Sequence, residues 1–365
     1  MKFILPQYKA PDFGENRFTQ APDVKIGICD MDGVAPAYYH STSIYPEYYK
    51  INGTWTLAKE SRMDCTVIVR DSGVLDVVET RYIRRNDKVI LGRSENCEEG
   101  IYLHCDGFTE NKNQTRDLFA FRQGRSRETS YSRDYDNLYK LLMHEREHGN
   151  IVWVMGPAFA FDHDSRNAMQ LLIENGFAHG LLAGNALATH DLEAGFLRTA
   201  LGQDIYTQKS QPNGHYNHLD TINEVRRSGS IPQFISDRNI SDGIIYAVVT
   251  KNIPYVLTGS IRDDGPLPEV IHSAYEGQAA MRGIIRKATT IICLATQLHT
   301  IAAGNITPTF RVVNGKVRPL YIYSIDISEF ATNKLADRGS LSAIGIVTNV
   351  QDFIVNIAKG LGVLK

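Results

Sequence analysis

The sequence predicts an α/β protein in which a small β-rich N-terminal domain precedes a doubly wound parallel-sheet domain. The chain has 365 residues, more than a single hydrophobic core usually organises, so two domains are expected. The hydrophobic pattern also changes near residue 151, from short β-branched segments to apolar runs that alternate with helix-like stretches. We therefore expect a β-rich domain over residues 1–115, a linker and connecting helix over 116–150, and the larger domain over 151–365.

The first domain is predicted from short β-branched segments separated by Gly, Asn and Asp. Asn52-Gly53 is a typical hairpin turn signal ahead of Thr54 and Trp55. Further strands are expected in MDCTVIVRDSG, VLDVVETRYI, KVILGR and GIYLHCDG. A polar, Arg-rich stretch follows, and then a helix is expected from Asn137 to about His148, ended by Gly149.

The second domain is predicted from short, nearly continuous apolar runs, which are typical of strands buried on both faces. These runs are IVWVMG, GLLAG, GIIYAVV, PYVLTGS, TIICLAT and YIYSID. Helix-like stretches such as SRNAMQLLIENG and EGQAAMRGIIRKA lie between several of them. This alternation predicts a Rossmann-like parallel sheet with helices on both faces. Most of the runs end in small or polar residues, where such a sheet binds its ligand.

Charge and composition favour a small-molecule partner. Lys and Arg number 39 against 41 Asp and Glu, so the net charge is −2. A nearly neutral protein has no electrostatic attraction for nucleic acid or for an anionic membrane. No apolar run is long enough for a membrane span or a signal peptide. The five cysteines form no CxxC pair, which indicates reduced thiols and a cytoplasmic location.

The string HEREH, from His144 to His148, matches the zinc-peptidase pattern HExxH. In that pattern two imidazoles lie one helical turn apart and the Glu is the general base. Here Gly149 ends the helix directly after the second His, and no third ligand is evident. We therefore expect a solvated helix end and no metal site.

KIGICDMDGV, from Lys25 to Val34, is similar to the first motif of haloacid-dehalogenase-type phosphatases, in which one of two carboxylates spaced like Asp30 and Asp32 is the nucleophile and the other the acid/base. The aromatic run after Val34 is not the helix that this fold needs, so a turn with two solvated carboxylates is the alternative. GxGxxG and the P-loop are both absent, so any dinucleotide site must use other glycines.

A set of longer segments resembles the LOR/SDH-region family, which includes archaeal ornithine cyclodeaminase and the C-terminal half of cyanobacterial arginine dihydrolases. The segments are LLAGNALATHDLE, NGHYNHLDTIN, VLTGSIRDDGPLPEV, ATQLHTIAAGN, IDIS and KLADRGS, with YYHSTSIYPEYYKINGTW and MDCTVIV upstream. The chain departs from the family pattern in FAFRQGRSRETSYS, GPAFAFDHDS and RTALG. These departing segments are expected to shape the substrate pocket.

The resemblance implies NAD-dependent redox chemistry without net redox. In ornithine cyclodeamination, hydride leaves the α-carbon to NAD⁺, the δ-amine attacks the resulting imine, ammonia departs, and the hydride returns to give proline. The expected function is therefore that of an ammonia-lyase in proline biosynthesis, acting as a homo-oligomer on an amino acid. The alternatives are an NAD-dependent amino-acid dehydrogenase, an imine reductase acting on another amine, and a catalytically inactive NAD-binding sensor.

Residues expected at the cofactor lie at or just after the ends of predicted strands, where backbone amides can meet a pyrophosphate. AGNALATHDLE also resembles the NAD-binding TAGGxEED loop of deoxyhypusine synthase, which implies Asp191 or Glu193 near the cofactor. Asp326 is expected at a ribose. The full set of expected cofactor residues is Gly184, Asn185, Asp191, Gly259, Ser260, Thr296 and Asp326.

Residues expected at the substrate carry the charges that a diamino acid needs. Arg262 offers a bidentate fork for a carboxylate, and Asp263 or Asp264 could hold the distal ammonium; the alternative is a solvated turn before Pro266. The candidate proton carriers are His215, His218 and His299, because imidazole titrates near neutrality. Lys334, Asp337 and Arg338 form either an ion-pair corner or a substrate contact.

Overall fold

A computed structural model describes residues 3–108, 132–263, 265–337 and 343–365 of the protein. Asp264 and Arg338 lie outside the described residues. The strands are β1 Lys25–Ile28, β2 Glu47–Ile51, β3 Thr54–Leu57, β4 Thr66–Val69, β5 Leu75–Val78, β6 Lys88–Leu91, β7 Ile101–Leu103, β8 Ile151–Met155, β9 Gly180–Gly184, β10 Thr199–Ala200, β11 Gln203–Asp204, β12 Tyr255–Thr258, β13 Val270–Ile271, β14 Thr290–Leu294, β15 Phe310–Val313, β16 Lys316–Pro319, β17 Tyr321–Asp326 and β18 Ala343–Val347. The α-helices are α1 Asn16–Thr19, α2 Ser132–His148, α3 His163–Glu174, α4 Asn185–Leu197, α5 Asn217–Ser228, α6 Ile231–Asp237, α7 Ile244–Thr250, α8 Ala274–Ile285, α9 Gln297–Asn305, α10 Phe330–Asp337 and α11 Val350–Gly360.

The N-terminal part is built from two small antiparallel sheets, as its β-branched segments predict. One sheet has the strand order β1-β6-β4-β5 and the other the order β3-β2-β7. The predicted hairpin turn between β2 and β3 forms at Asn52 and Gly53, whose φ angles are 49° and 77°. Positive φ at both central residues matches the right-handed twist of the paired strands. The β-rich character of this part is confirmed.

The second part is a seven-stranded parallel sheet with the order β13-β12-β9-β8-β14-β17-β18. The chain builds one half outward from β8, and then returns to place β14 on the other side of β8. The two central strands are wholly buried along their length. This reversal of strand order creates a topological switch point between β8 and β14, where an open α/β sheet binds ligands. The predicted Rossmann-like fold is confirmed.

One predicted strand is a helix. The apolar run GIIYAVV forms α7, and not a strand of the sheet. The backbone amides of Ile244 and Ile245 donate to the Asp191 carboxylate at 3.1 and 2.7 Å, which caps the first turn of α7. A short apolar run fits a buried helix as well as a buried strand, so periodicity alone does not separate them.

Side-chain contacts join the N-terminal sheets to the parallel-sheet part. Arg282 on α8 donates to the carbonyl oxygen of Val77 at 3.0 Å, and Arg286 donates to Glu60 at 2.7 Å. Thr309 donates to the carbonyl oxygen of Ile44 at 3.0 Å. The division into residues 1–115, 116–150 and 151–365 stays a prediction.

The HEREH segment lies at the end of α2, which begins at Ser132, five residues earlier than expected. Glu145 is fully buried and accepts a hydrogen bond from Arg318 at 2.6 Å and another from Thr289. The carboxylate that a zinc peptidase would use as its base is therefore held in a structural ion pair. No cluster of three metal-ligating side chains occurs in the part of the chain that the structure describes.

The DMDGV segment follows β1, which pairs antiparallel with β6. Asp30 and Asp32 are exposed, and Asp32 accepts a hydrogen bond from the backbone amide of Arg85 at 2.8 Å. This is a solvated turn on an antiparallel sheet, and not the strand-to-helix crossover of the phosphatase fold. All five cysteines are free thiols. No helix among the described residues is long and apolar enough to span a membrane.

Candidate active site

Two cavities lie at the carboxyl ends of the parallel strands. The first cavity, of about 380 Å³, lies over β8, β9 and β12. The second cavity, of about 340 Å³, lies over β14, β17 and the start of α11. They share Pro157 and Phe161 from the short helical turn after β8. The cavities therefore flank the switch point, where the sheet is expected to hold a ligand.

The floor between the cavities is formed where the loops after β8 and β14 meet. The Gly156 amide donates to the carbonyl oxygen of Leu294 at 2.8 Å, and a Cβ on Gly156 would lie 2.0 Å from the carbonyl oxygen of Ala295. Ala295 has a positive φ of 49°. Only glycine allows this approach, because any side chain at residue 156 would separate the two strand ends.

Eight of the residues predicted for the site line the first cavity, namely Gly184, Asn185, His218, Ser260, Arg262, Asp263, Thr296 and His299. The whole cavity is lined by Met155, Gly156, Pro157, Phe161, Gly184, Asn185, Ala186, Leu187, Thr189, His190, Leu201, His218, Ile222, Thr258, Ser260, Arg262, Asp263, Thr296 and His299. The cavity thus combines one cation, one carboxylate and three imidazoles on an otherwise apolar wall. That combination suits a ligand with both anionic and cationic groups.

His299 is held at the first turn of α9 by two hydroxyls. Its Nε2 lies 2.7 Å from Thr258 Oγ1 and its Nδ1 lies 3.1 Å from Thr296 Oγ1. Burial lowers the pKa of His299, although the negative charge of Asp263 opposes that shift. Gly184 lies against the ring, with a Cβ position 3.2 Å from His299 Cε1. His299 is therefore a neutral, fixed hydrogen-bonding group near neutral pH.

The loop after β12 is fixed at both ends. The Asn185 side chain accepts a hydrogen bond from the Leu267 amide at 3.0 Å and donates to the carbonyl oxygen of Gly265 at 3.4 Å. At the start of the loop, Asp263 accepts from the Ser260 amide at 2.7 Å. This turn leaves the exposed Arg262 side chain on the cavity wall.

Asp191 has a structural role and not the cofactor contact expected from the sequence. Helix α4 is buried on most of its surface, so its carboxylates must be paired within the protein. Asp191 is 1% exposed and accepts from Arg166 at 2.7 Å, in addition to its bonds to the amides of α7. It is not among the residues that line either cavity.

Three further expected residues also lie away from the lining. The Gly259 amide donates to the carbonyl oxygen of Ile271 at 2.8 Å, which continues the pairing of β12 with β13. Lys334 is exposed on α10, 6.0 Å from the ring of Phe330. His215 is exposed beside Tyr216.

Asp326 ends β17 and lines the second cavity. It is partly buried, and its carboxylate accepts from the Ser328 amide at 3.1 Å. Asn349, which caps α11, lines the same cavity. A carboxylate at a strand end beside the switch point is the arrangement that holds a ribose hydroxyl in doubly wound folds.

One titratable residue of the first cavity was missed by the sequence reasoning. His190 lines the cavity, and its Nδ1 lies 3.2 Å from Oε2 of Glu193 on the next turn of α4. The signal was present as a His and a Glu three residues apart on a helix. It was overlooked because the acidic residues of this segment were interpreted as cofactor ligands.

Comparison with known proteins agrees with this architecture. Residues 138–357 match the family model of the C-terminal, Rossmann-fold part of arginine dihydrolase ArgZ-like proteins. The chain belongs to this ArgZ-like family. Ornithine cyclodeaminase of Methanopyrus kandleri is 33% identical over 344 residues, which cover 93% of this chain and 78% of that protein. The family resemblance predicted from the loop sequences is confirmed.

Solved structures of ArgZ-like relatives superpose on the whole fold. A LOR/SDH protein from Methanococcus maripaludis S2 matches with a TM-score of 0.84 and 31% identity, covering 93% of this chain and 98% of that one. The ternary complex of AgrE with ornithine and NAD⁺ matches with a TM-score of 0.58 and 28% identity. That match covers 94% of this chain and 46% of AgrE, so the chain spans about half the length of AgrE.

Proposed function

We propose that the protein is an NAD-dependent ornithine cyclodeaminase-like enzyme that converts ornithine to proline with release of ammonia. The observation that carries the proposal is the pair of cavities flanking the switch point of a Rossmann-like sheet. One cavity carries a strand-end carboxylate suited to a ribose, and the other carries charges of both signs with imidazoles. Relatives named ornithine cyclodeaminase and the AgrE complex with ornithine and NAD⁺ support the same assignment.

The residues at the switch point fit the binding of a dinucleotide. Gly156 lines the first cavity beside the switch point and carries no side chain, so a diphosphate could approach its backbone there. Gly184 directly precedes α4, whose first-turn amides favour an anion. Asp326 would hold a ribose in the second cavity. When bound, the nicotinamide ring supplies the acceptor that takes a hydride and later returns it.

The residues of the first cavity supply the other requirements of the reaction. Arg262 binds the substrate carboxylate, and Asp263, the next residue of the same turn, binds the distal ammonium. Phe161, Leu187 and Leu201 exclude water, which protects an imine from hydrolysis. His299, held by Thr258 and Thr296 at its two ring nitrogens, forms a fixed part of the cavity wall without adding charge.

A second function is favoured by one observation. Phe161 lines the first cavity, and it belongs to the segment GPAFAFDHDS, in which this chain departs from the family pattern. A cavity wall that differs from the family pattern supports the alternative of an NAD-dependent amino-acid dehydrogenase or imine reductase that acts on a different amine. The cytoplasmic location, assembly into a homo-oligomer and a place in proline biosynthesis stay predictions from the sequence.

The direct experiment is to identify nucleotide bound to the freshly purified protein by mass spectrometry, and then to incubate it with ornithine and NAD⁺. The proposal expects NAD(H) in the protein, with proline and ammonia formed in equal amounts. Formation of an oxo acid with stoichiometric NADH would instead support the dehydrogenase. Absence of both NAD⁺ binding and ornithine turnover would reject both functions.

A further inference from the structure

His190 and Glu193 form a buried imidazole–carboxylate pair on the wall of the first cavity. Their side chains project from adjacent turns of α4, three residues apart, with His190 Nδ1 3.2 Å from Glu193 Oε2. Glu193 is fully buried and His190 is 8% exposed. The imidazole lines the cavity, whereas the carboxylate lies behind it.

Glu193 is held from several directions, so its position relative to His190 is fixed. It accepts hydrogen bonds from the Thr199 hydroxyl at 2.8 Å and from the amides of Leu201 and Gly202, each at 3.0 Å. A carboxylate accepts and does not donate, so the hydrogen on the imidazole lies on Nδ1. No hydrogen bond to His190 Nε2 is present among the described residues, so Nε2 carries the free lone pair.

We propose that His190 Nε2 takes the proton from the α-ammonium of the substrate, and that Glu193 is the positioning residue that fixes its tautomer and orientation. This assignment rests on the proposed function. It differs from the sequence expectation, in which His215, His218 or His299 moves protons. His299 has a hydroxyl within hydrogen-bond distance of both ring nitrogens, so it has no free lone pair for this step.

The proton step balances the redox step. The α-ammonium loses one proton to Nε2 and becomes a neutral amine. The electron pair of the Cα–H bond then leaves as hydride to the nicotinamide dinucleotide, and the nitrogen lone pair forms a carbon–nitrogen double bond. The δ-ammonium gives a proton to solvent, and its nitrogen then bonds to the iminium carbon and loses a second proton as the ring forms. The imidazolium returns its proton to the α-nitrogen, whose bond to carbon breaks as ammonia departs, and the returning hydride completes proline. The two protons from the δ-nitrogen end on ammonia and on the proline nitrogen, so His190 ends the cycle as it began. Glu193 stabilises the transient positive charge on the ring.

Several charged or titratable groups face this pair and contribute to its pH dependence. On α5, His218 has its ring centroid 6.1 Å from that of His190. Arg262, Asp263 and His299 lie on other walls of the same cavity. Because a base works only when unprotonated, we expect kcat/KM to fall as the pH is lowered, and we expect that fall to depend on His190.

Two substitutions at residue 190 separate the roles of the ring nitrogens. His190→Asn keeps an N–H donor near the position of Nδ1, and so keeps the bond to Glu193, but removes Nε2. His190→Gln keeps a nitrogen near Nε2 and removes the bond to Glu193. Neither amide accepts a proton near neutral pH. Both variants should therefore lose kcat/KM for ornithine by about 100-fold or more, the lower bound for a general base.

The matched control is His148→Asn, which removes an exposed imidazole at the end of α2, outside both cavities. This control should keep wild-type kcat/KM. NAD⁺ affinity, measured by calorimetry, should be unchanged in all three variants. The acid limb of the pH profile should disappear in His190→Asn and persist in the control.

A second readout does not depend on turnover. ¹⁵N NMR of the wild-type protein, with the His190 signals identified by their loss in His190→Asn, should show the tautomer with hydrogen on Nδ1. The opposite tautomer would overturn the assignment. If the wild type makes proline while His190→Asn keeps kcat/KM within about fivefold with the same pH profile, His190 is not the base. If the wild type binds NAD⁺ but does not convert ornithine, the proposed function fails, and this step fails with it.

Discussion

Substitution of Arg262 by alanine tests whether the loop after β12 binds the substrate carboxylate. The guanidinium is exposed on the wall of the first cavity, on a turn that Asp263 and Asn185 fix in place. A charge-assisted hydrogen bond is worth about 1.5–3 kcal/mol. Since 1.36 kcal/mol corresponds to a factor of ten in rate, Arg262→Ala should lower kcat/KM for ornithine by about 13- to 160-fold.

The assay is steady-state formation of proline with ornithine varied at saturating NAD⁺. The loss should appear mainly as a raised KM, because the carboxylate is bound in both the ground and the transition state. NAD⁺ affinity should stay at the wild-type value. Arg227→Ala, which removes an exposed arginine of α5 paired with Glu224, is the matched control. If Arg262→Ala has wild-type kcat/KM, or loses NAD⁺ affinity instead, the assignment of this loop to the substrate is wrong.

Three further predictions concern the second cavity, the HEREH helix and the N-terminal sheets. Asp326→Ala should weaken NAD⁺ binding by about 1.5–3 kcal/mol; unchanged affinity by calorimetry would remove Asp326 from the cofactor site. Treatment with EDTA should leave turnover unchanged, because Glu145 of the HEREH segment is hydrogen-bonded to Arg318 and so is not available as the base of a zinc site. Activity that is lost with EDTA and restored by zinc would contradict this prediction. Burial alone would raise the pKa of Glu47, but hydrogen bonds from His40, the Ser43 amide and Tyr49 hold it below its usual value. A lowered pKa stabilises the folded state above the unfolded-state pKa of about 4.3, so the free energy of unfolding that Glu47 contributes should be lost as the pH falls below that value. The check is urea unfolding of the wild type and of Glu47→Gln at pH 6 and pH 3. If the difference between their free energies of unfolding is no smaller at pH 3 than at pH 6, this prediction is wrong.

The sequence predicted the parallel sheet because its strands carry a strong local signal. IVWVM is apolar throughout, TIICL is apolar after Thr290, and both are followed by small or polar residues, which is the pattern of central strands buried on both faces. The run GIIYAVV gave the same signal and is a helix. What decides its structure is a distant side chain, since the Asp191 carboxylate caps its first turn. Such a long-range contact has no local signature.

Part of the lining of the candidate site was also predicted from the sequence. Strand-end residues such as Gly184, Thr296 and Arg262 were found because a parallel sheet brings strand ends together. Asp191 was expected at the cofactor, whereas His190, its neighbour on α4, was not considered for the site. One side chain faces Arg166 and the other faces the cavity, and only the rotation of the helix against its neighbours determines which one. Asp264 was a substrate candidate and lies outside the described residues.

The central claim is that hydride is borrowed and returned within a single turnover on ornithine. It is tested most directly with ornithine deuterated at the α-carbon, after bound nucleotide has been removed and NAD⁺ added back. The account predicts proline that retains deuterium at the α-carbon, one ammonia per proline, no accumulation of NADH, and no reaction until NAD⁺ is restored. Deuterated NADH accumulating in step with substrate consumption, or proline formation without NAD⁺, would contradict it.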